Sequence, residues 1–97
     1  MFDAPPPSER RAPEEAALHV LQIIARSRRV ALLAAEDLLG STDAELCRLS
    51  LKPVGEIVEA TLKLRGLDEG AAQRLADRAG GYLGVTSARV EHQWALP

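Results

Sequence analysis

The residues best suited to chemistry form a basic cluster, Arg26-Ser27-Arg28-Arg29-Val30, at the predicted start of a helix. Ser27 can accept a hydrogen bond from a free amide of the first helical turn, and this predicts that it is the N-cap. Because the free N–H groups and the dipole of a helix N-terminus favour negative charge, the arginines would suit a carboxylate or phosphate. We therefore take Arg26 to Val30 as the candidate ligand-binding site, with a solvated basic turn as the alternative.

Few other side chains suggest chemistry. His19 and His92 are expected on neighbouring strands, but two imidazoles without a third ligand make a poor metal site, so we expect structural histidines and predict neither a metal nor a cofactor. Cys47 is the only cysteine; it rules out an internal disulfide, and its apolar surroundings predict a buried, inert thiol. Trp94, near the end of the last predicted strand, is a candidate interface residue, with packing inside the domain as the alternative.

The composition restricts the classes of partner. A chain of 97 residues with 46% hydrophobic residues suits one small domain. Its formal charge of −2 gives no electrostatic reason to expect nucleic acid. No apolar run approaches the roughly twenty residues that span a membrane. We therefore expect a cytoplasmic protein that binds neither nucleic acid nor a membrane.

Strands and helices must position the candidate residues, and the second half of the chain has the sequence patterns of both. Residues 57–65 alternate apolar and polar, which predicts a half-buried strand. Asp68 is placed to cap a helix that begins at Glu69, and the glycines at Gly80 and after it end that helix. Residues 85–92 alternate again and predict a second strand parallel to the first.

The first half repeats this order. Residues 18–25 are almost continuously apolar and predict a strand buried in the middle of a sheet, although Pro13 could instead begin a helix that includes them. A helix is predicted over 28–39, ended by Gly40. The predicted apolar side of this helix consists of Val30, Leu33, Ala34, Leu38 and Leu39.

A fourth strand is predicted over residues 44–52, where the alternation slips once near Cys47 and so indicates a bulge. Residues 52–55 are predicted to form the short hairpin connection to the next strand. The side chains expected to be mostly buried in this strand are Leu46, Cys47, Leu49 and Leu51.

Together these elements predict an α+β, ferredoxin-like βαββαβ fold, a four-stranded antiparallel sheet with two helices on one face. The domain is expected over residues 17–94. The proline-rich residues 1–16 are predicted to be a flexible arm and residues 95–97 a tail.

Three segments resemble the ACT domain, a small regulatory module of amino-acid biosynthetic enzymes, and are similar to the small subunits of acetolactate synthase. They are residues 25–33, residues 62–78 (LKLRGLDEGAAQRLADR) and residues 84–91 (GVTSARVE). The resemblance extends over about residues 18–93. Its motifs are moderately specific, because similar apolar patterns occur in other ferredoxin-like domains.

The resemblance implies a regulatory or assembly domain that is not an enzyme and that binds an amino-acid effector or a catalytic partner subunit. It also implies pairing of domains, most simply as a homodimer. The family's first turn commonly carries an acidic residue, proline and glycine, where this chain has Ser27, Arg29 and Val30. That glycine lets the backbone come close to the bound amino acid, and Val30 has a side chain in its place.

Two other functions fit the same topology. The first is a ferredoxin-like interaction domain that mediates dimerisation without a ligand. The second is an acylphosphatase-like hydrolase, but that family needs a catalytic asparagine and this sequence contains none.

Overall fold

A computed structural model describes residues 17–94, and the predicted arm (1–16) and tail (95–97) lie outside the described residues. The described chain forms six elements. They are β1 (Ala17–Ala25), α1 (Arg28–Gly40), β2 (Glu45–Val54), β3 (Ile57–Arg65), α2 (Glu69–Gly80) and β4 (Val85–Trp94). The strands form one sheet in the order β2-β3-β1-β4, and all three neighbouring pairs are antiparallel. The predicted α+β, ferredoxin-like βαββαβ fold is confirmed.

The helices begin at the predicted caps. The Ser27 hydroxyl accepts a hydrogen bond from the Val30 amide at 3.2 Å, and Asp68 Oδ1 accepts one from the Ala71 amide at 2.7 Å. Each cap therefore satisfies one of the amides that a helix N-terminus leaves without a helical acceptor. Neither helix is long and apolar enough to cross a membrane in the described part of the chain.

The core lies between the helices and one face of the sheet. The central strands contribute alternate residues to it, as their period of two requires: Leu21 and Ile23 from β1, and Leu62 and Leu64 from β3, all at most 1% exposed. The helices contribute mainly alanines, which let them approach the sheet closely. The buried helical residues are Ala31, Ala34, Ala35, Leu38, Ala72, Leu75, Ala76 and Ala79.

The buried face of α1 differs from the predicted one. Ala31 and Ala35 are buried, whereas Leu33, which we expected in the core, is 53% exposed, and Leu32 is 38% exposed. Ala31, Ala34, Ala35 and Leu38 face the core, because α1 packs over β1 and β3 on that side of the helix. In α2 the buried residues are Ala72, Leu75, Ala76 and Ala79, while Ala71 is only half-buried.

The prediction that β2 buries its apolar residues is wrong. Cys47 is exposed, Leu46 and Leu49 are each 38% exposed, and Leu51 is half-buried. The reason is the position of the strand: β2 lies at the sheet edge, and α1 packs more on the two central strands than on this one. The predicted bulge is confirmed, since the register with β3 shifts between Leu46 and Arg48.

The hairpin between β2 and β3 is tighter than predicted. Lys52 and Pro53 continue the strand and pair with β3, and the turn consists of Gly55 and Glu56. Gly55 has a φ of +61°, the left-handed conformation that glycine adopts without strain. Proline is tolerated in β2 because an edge strand leaves some of its amides unpaired.

Candidate functional site

An apolar groove lies between α1 and the edge strand β2. It has a volume of about 610 Å³, which falls in the range of small-molecule sites. Its floor and walls are hydrophobic, and its polar groups come from the first residues of α1. The lining residues are Ser27, Arg28, Arg29, Leu32, Leu33, Leu51, Pro53 and Val58.

The polar end of the groove is the N-terminus of α1. The first helical hydrogen bond runs from the Ala31 amide to the Ser27 carbonyl at 3.1 Å, and the Ser27 hydroxyl accepts from the Val30 amide. The amides of Arg28 and Arg29 come before these bonds in the first turn, where helical geometry offers no acceptor. The groove therefore combines an apolar body with the end of a helix that favours an anion.

Only three of the five residues predicted for the ligand site lie together at the groove. Ser27, Arg28 and Arg29 line the groove. Arg26 lies outside the lining, and its amide donates to the Gly84 carbonyl at 2.9 Å, which ties the end of β1 to the start of β4. Val30 also lies outside the lining and is half-buried.

Val30 is directed towards the loop before β4. A Cβ atom added to Gly84 would lie 3.0 Å from both γ carbons of Val30. Gly84 has a φ of +93°, so the absence of a side chain serves both its conformation and this close contact. The Val30 side chain therefore packs inside the domain and leaves the groove to the residues around it.

Sequence reasoning missed the apolar part of the groove. Leu32, Leu33 and Leu51 were assigned to the core or given no role, because periodicity does not show which strand lies at the sheet edge. Five of the six exposed large hydrophobic residues among the described ones lie on α1 and β2; the sixth is Leu83. Those five are Leu32, Leu33, Leu46, Leu49 and Val54. Exposed apolar side chains concentrated in this way are typical of interaction surfaces.

The free edge of β2 lies beside the groove. An edge strand presents N–H and C=O groups that can pair with another strand. The bulge near Cys47 interrupts the regular backbone at one end of β2, and Pro53 lacks an amide hydrogen at the other. The regular stretch available for pairing is therefore short and lies over residues 48–52.

The two histidines meet at the opposite end of the sheet. His19 and His92 are paired across β1 and β4, and their rings are edge to face with centroids 4.4 Å apart. His92 Nε2 lies 3.4 Å from Glu69 Oε1. Within residues 17–94, no group of three or more potential ligands is arranged to hold a metal ion.

A salt bridge joins the helices on their outer side. Arg78 Nε lies 2.7 Å from Asp37 Oδ2. The hydrogen bond from Arg78 lowers the pKa of Asp37 below its ordinary value, and a hydrogen bond from Tyr82 lowers it further. This cluster is exposed and bonded within itself, so it serves to connect α1 and α2.

The remaining candidate residue is Trp94. Its backbone ends β4 and pairs with Ala17, but its side chain lies outside the described residues. Its predicted role at an interface stays a prediction.

The fold formed by these elements is similar to that of solved ACT domains. The C-terminal domain of the MgtC protein from Mycobacterium tuberculosis is similar, with a TM-score of 0.71 at 17% identity over 84% of this chain and 92% of that one. The ACT domain from the GTP pyrophosphokinase of Chlorobium tepidum has a TM-score of 0.64 at 13% identity over 76% of this chain and 96% of that one.

The same topology also occurs in a designed protein, which did not evolve for a function. The de novo designed protein Foldit4 is similar, with a TM-score of 0.55 at 14% identity over 84% of this chain and 97% of that one. No family model matches the chain, and no curated protein matches it significantly. At these identities the likeness shows the fold, and function must be argued from the groove and its edges.

Proposed function

We propose that this chain is a non-catalytic regulatory domain of the ACT type that binds a small amino-acid-like ligand at the groove between α1 and β2. The observation that carries the proposal is the combination of an apolar groove of about 610 Å³ with Arg28 and Arg29 at its mouth. An amino acid offers a carboxylate for the basic helix N-terminus and a side chain for the leucines.

The exposed groove also supports a homodimer. A second copy that pairs with residues 48–52 of β2 would extend the sheet and cover Leu33 and Leu49, both of which water now reaches. Burial of apolar surface is the main favourable contribution to the association of proteins. The ligand would then lie between two domains, so its binding would favour the paired state.

Two of the similar proteins support a role within a larger system, because both are domains taken from larger proteins, MgtC and a GTP pyrophosphokinase. The resemblance to acetolactate synthase small subunits points to a catalytic partner subunit in amino-acid metabolism. We accordingly place this domain in the cytoplasm beside an enzyme that it regulates or helps to assemble.

The ligand can be tested by calorimetry with a panel of the twenty amino acids. We expect one or a few to bind, and the double substitution Arg28→Ala and Arg29→Ala to weaken that binding by about tenfold or more, as the loss of a charge-assisted contact implies. Arg74→Ala is the matched control, since it removes an exposed helical arginine that does not line the groove. Heat signals absent for every amino acid would contradict ligand binding.

A second function, association without a ligand, is favoured by one specific observation. Val30 occupies the position where the ACT family has a glycine, and it packs against Gly84 instead of leaving a cleft. Under this alternative the groove is only a dimer surface. Sedimentation equilibrium would then show twice the chain mass of 10.5 kDa while calorimetry stays flat.

The dimer has its own test. Leu33→Asp should shift the mass towards the monomer because it places a charge in the apolar surface. Leu83→Asp is the matched control, because Leu83 is 95% exposed and lies outside the groove. A wild-type chain that stays monomeric at high concentration, with and without amino acids, would contradict the homodimer. Turnover of an acyl phosphate would contradict the assignment as a non-enzyme.

A further inference from the structure

We propose that His19, His92 and Glu69 form an acid-sensitive latch, which holds the start of β1, the end of β4 and the start of α2 together and opens when His19 gains a proton. The inference does not rest on the proposed function. The latch lies near the beginning of β1, whereas the groove lies beyond that strand's other end.

The geometry of the pair is the first argument. His19 faces His92 directly in the β1–β4 register, with the rings edge to face and the centroids 4.4 Å apart. His19 is only 3% exposed and is the one buried polar residue among those described. No described group forms a hydrogen bond with its Nδ1 atom.

A proton on His19 would not be accommodated in this position. A neutral imidazole can leave one nitrogen unpaired, but an imidazolium has two N–H donors and a charge, and each needs a partner. Burying such a group without partners costs far more than burying the neutral form. The closed latch therefore requires neutral His19.

The carboxylates that can pair with a protonated His19 ring lie outside the core. On β3 the residue opposite it is the buried Leu64, while the neighbouring Lys63 and Arg65 belong to the other face of the sheet. The nearest carboxylates are on α2. Asp68 is engaged as the helix cap, and Glu69, whose side chain is 84% exposed, lies beside His92 Nε2.

The sign of the pH effect follows from burial. Burial lowers the pKa of His19 below its ordinary value of 6.5, and His92 lowers it further, while Glu69 and Asp68 oppose the shift. The opened form therefore binds the proton more tightly than the closed form. The closed latch has its full stability above pH 6.5 and loses it as the pH falls towards the lowered pKa.

The test uses the full chain and two NMR measurements between pH 8 and pH 5. The His19 ring should titrate below 6.5. Amide exchange at His19 and His92, corrected for its intrinsic pH dependence, should accelerate by about tenfold for each pH unit below 6.5 until the lowered pKa is reached. Amides at the other end of the same strands, Ala25 and Val85, are the internal control and should not accelerate.

Two substitutions sharpen the result. His19→Leu should abolish the acceleration, because leucine cannot take up a proton. Glu69→Gln, at a side chain that is 84% exposed, should lower the pKa of His19 further, because the Glu69 carboxylate raises it. Titration of wild-type His19 at or above 6.5, or equal acceleration at both ends of the strands, would overturn the latch.

Discussion

Val30 and Gly84 are in contact across the turn that follows β1, at a distance that leaves no room for a methyl group on the glycine. The Cβ atom of an alanine at position 84 would lie 3.0 Å from both Val30 γ carbons. The contact fixes the first turn of α1 against the loop before β4, and the bond from the Arg26 amide to the Gly84 carbonyl strengthens the same junction. The helix end that borders the groove is therefore held by packing as well as by its cap.

The first prediction concerns this contact. Gly84→Ala should reduce the free energy of unfolding by about 1–2 kcal/mol because of the positive φ of +93°, and by about 1 kcal/mol or more through crowding of Val30. Gly66→Ala is the matched control, since Gly66 has the same φ and a Cβ there would meet nothing within 4 Å.

Urea denaturation measures both variants, and their difference isolates the contact. Adding Val30→Ala to the Gly84→Ala chain should recover most of that difference, as expected for two coupled residues. Equal losses at Gly84 and Gly66 would show that Val30 does not crowd position 84.

The residues of this junction illustrate what the sequence could predict. The caps Ser27 and Asp68 and the βαββαβ order were predicted correctly, because capping side chains and apolar periods are local signals. The inward direction of Val30 agrees with its predicted place on the apolar side of α1. The exposure of Leu33 was not predicted, because it depends on which strands α1 covers. Tertiary packing determines which strands the helix covers, and a run of leucines and alanines does not predict it.

The second prediction uses two leucines of the same helix. Leu38 is 1% exposed and belongs to the core, so Leu38→Ala should reduce the free energy of unfolding by about 2–5 kcal/mol. Leu33→Ala, at a side chain that is 53% exposed, should cost well under 1 kcal/mol. Urea denaturation at low protein concentration separates the two, and a larger loss at Leu33 would show that α1 buries its other face.

The third prediction concerns the pH dependence of Asp37. The hydrogen bond from Arg78 lowers the pKa of Asp37 from its ordinary value of 3.8. Its contribution to stability is therefore present above that value and is lost as the pH falls through the lowered pKa. Arg78→Gln should return the carboxyl pKa towards 3.8, measured by NMR titration of the Asp37 side chain.

The control for Asp37 is Arg74→Gln, which changes an arginine of the same helix that forms no salt bridge with a described residue. The Asp37 pKa should not move in that variant. Because both Asp37 and Arg78 are partly solvated, we expect little change in overall stability. An Asp37 pKa that is unchanged in Arg78→Gln would contradict the bond between the helices.

The fourth prediction uses Cys47 as a probe of the edge strand. Its thiol is exposed beside the bulge in β2, so a chromogenic disulfide reagent should modify it in the native domain at a rate close to that of the urea-unfolded chain. If the thiol reacts only after unfolding, it is buried in the native domain, as the sequence predicted.

The same measurement tests the surface that we assign to pairing, because a second copy on residues 48–52 would cover the strand next to the thiol. The native rate should then decrease as the protein concentration rises, and Leu33→Asp should remove that decrease.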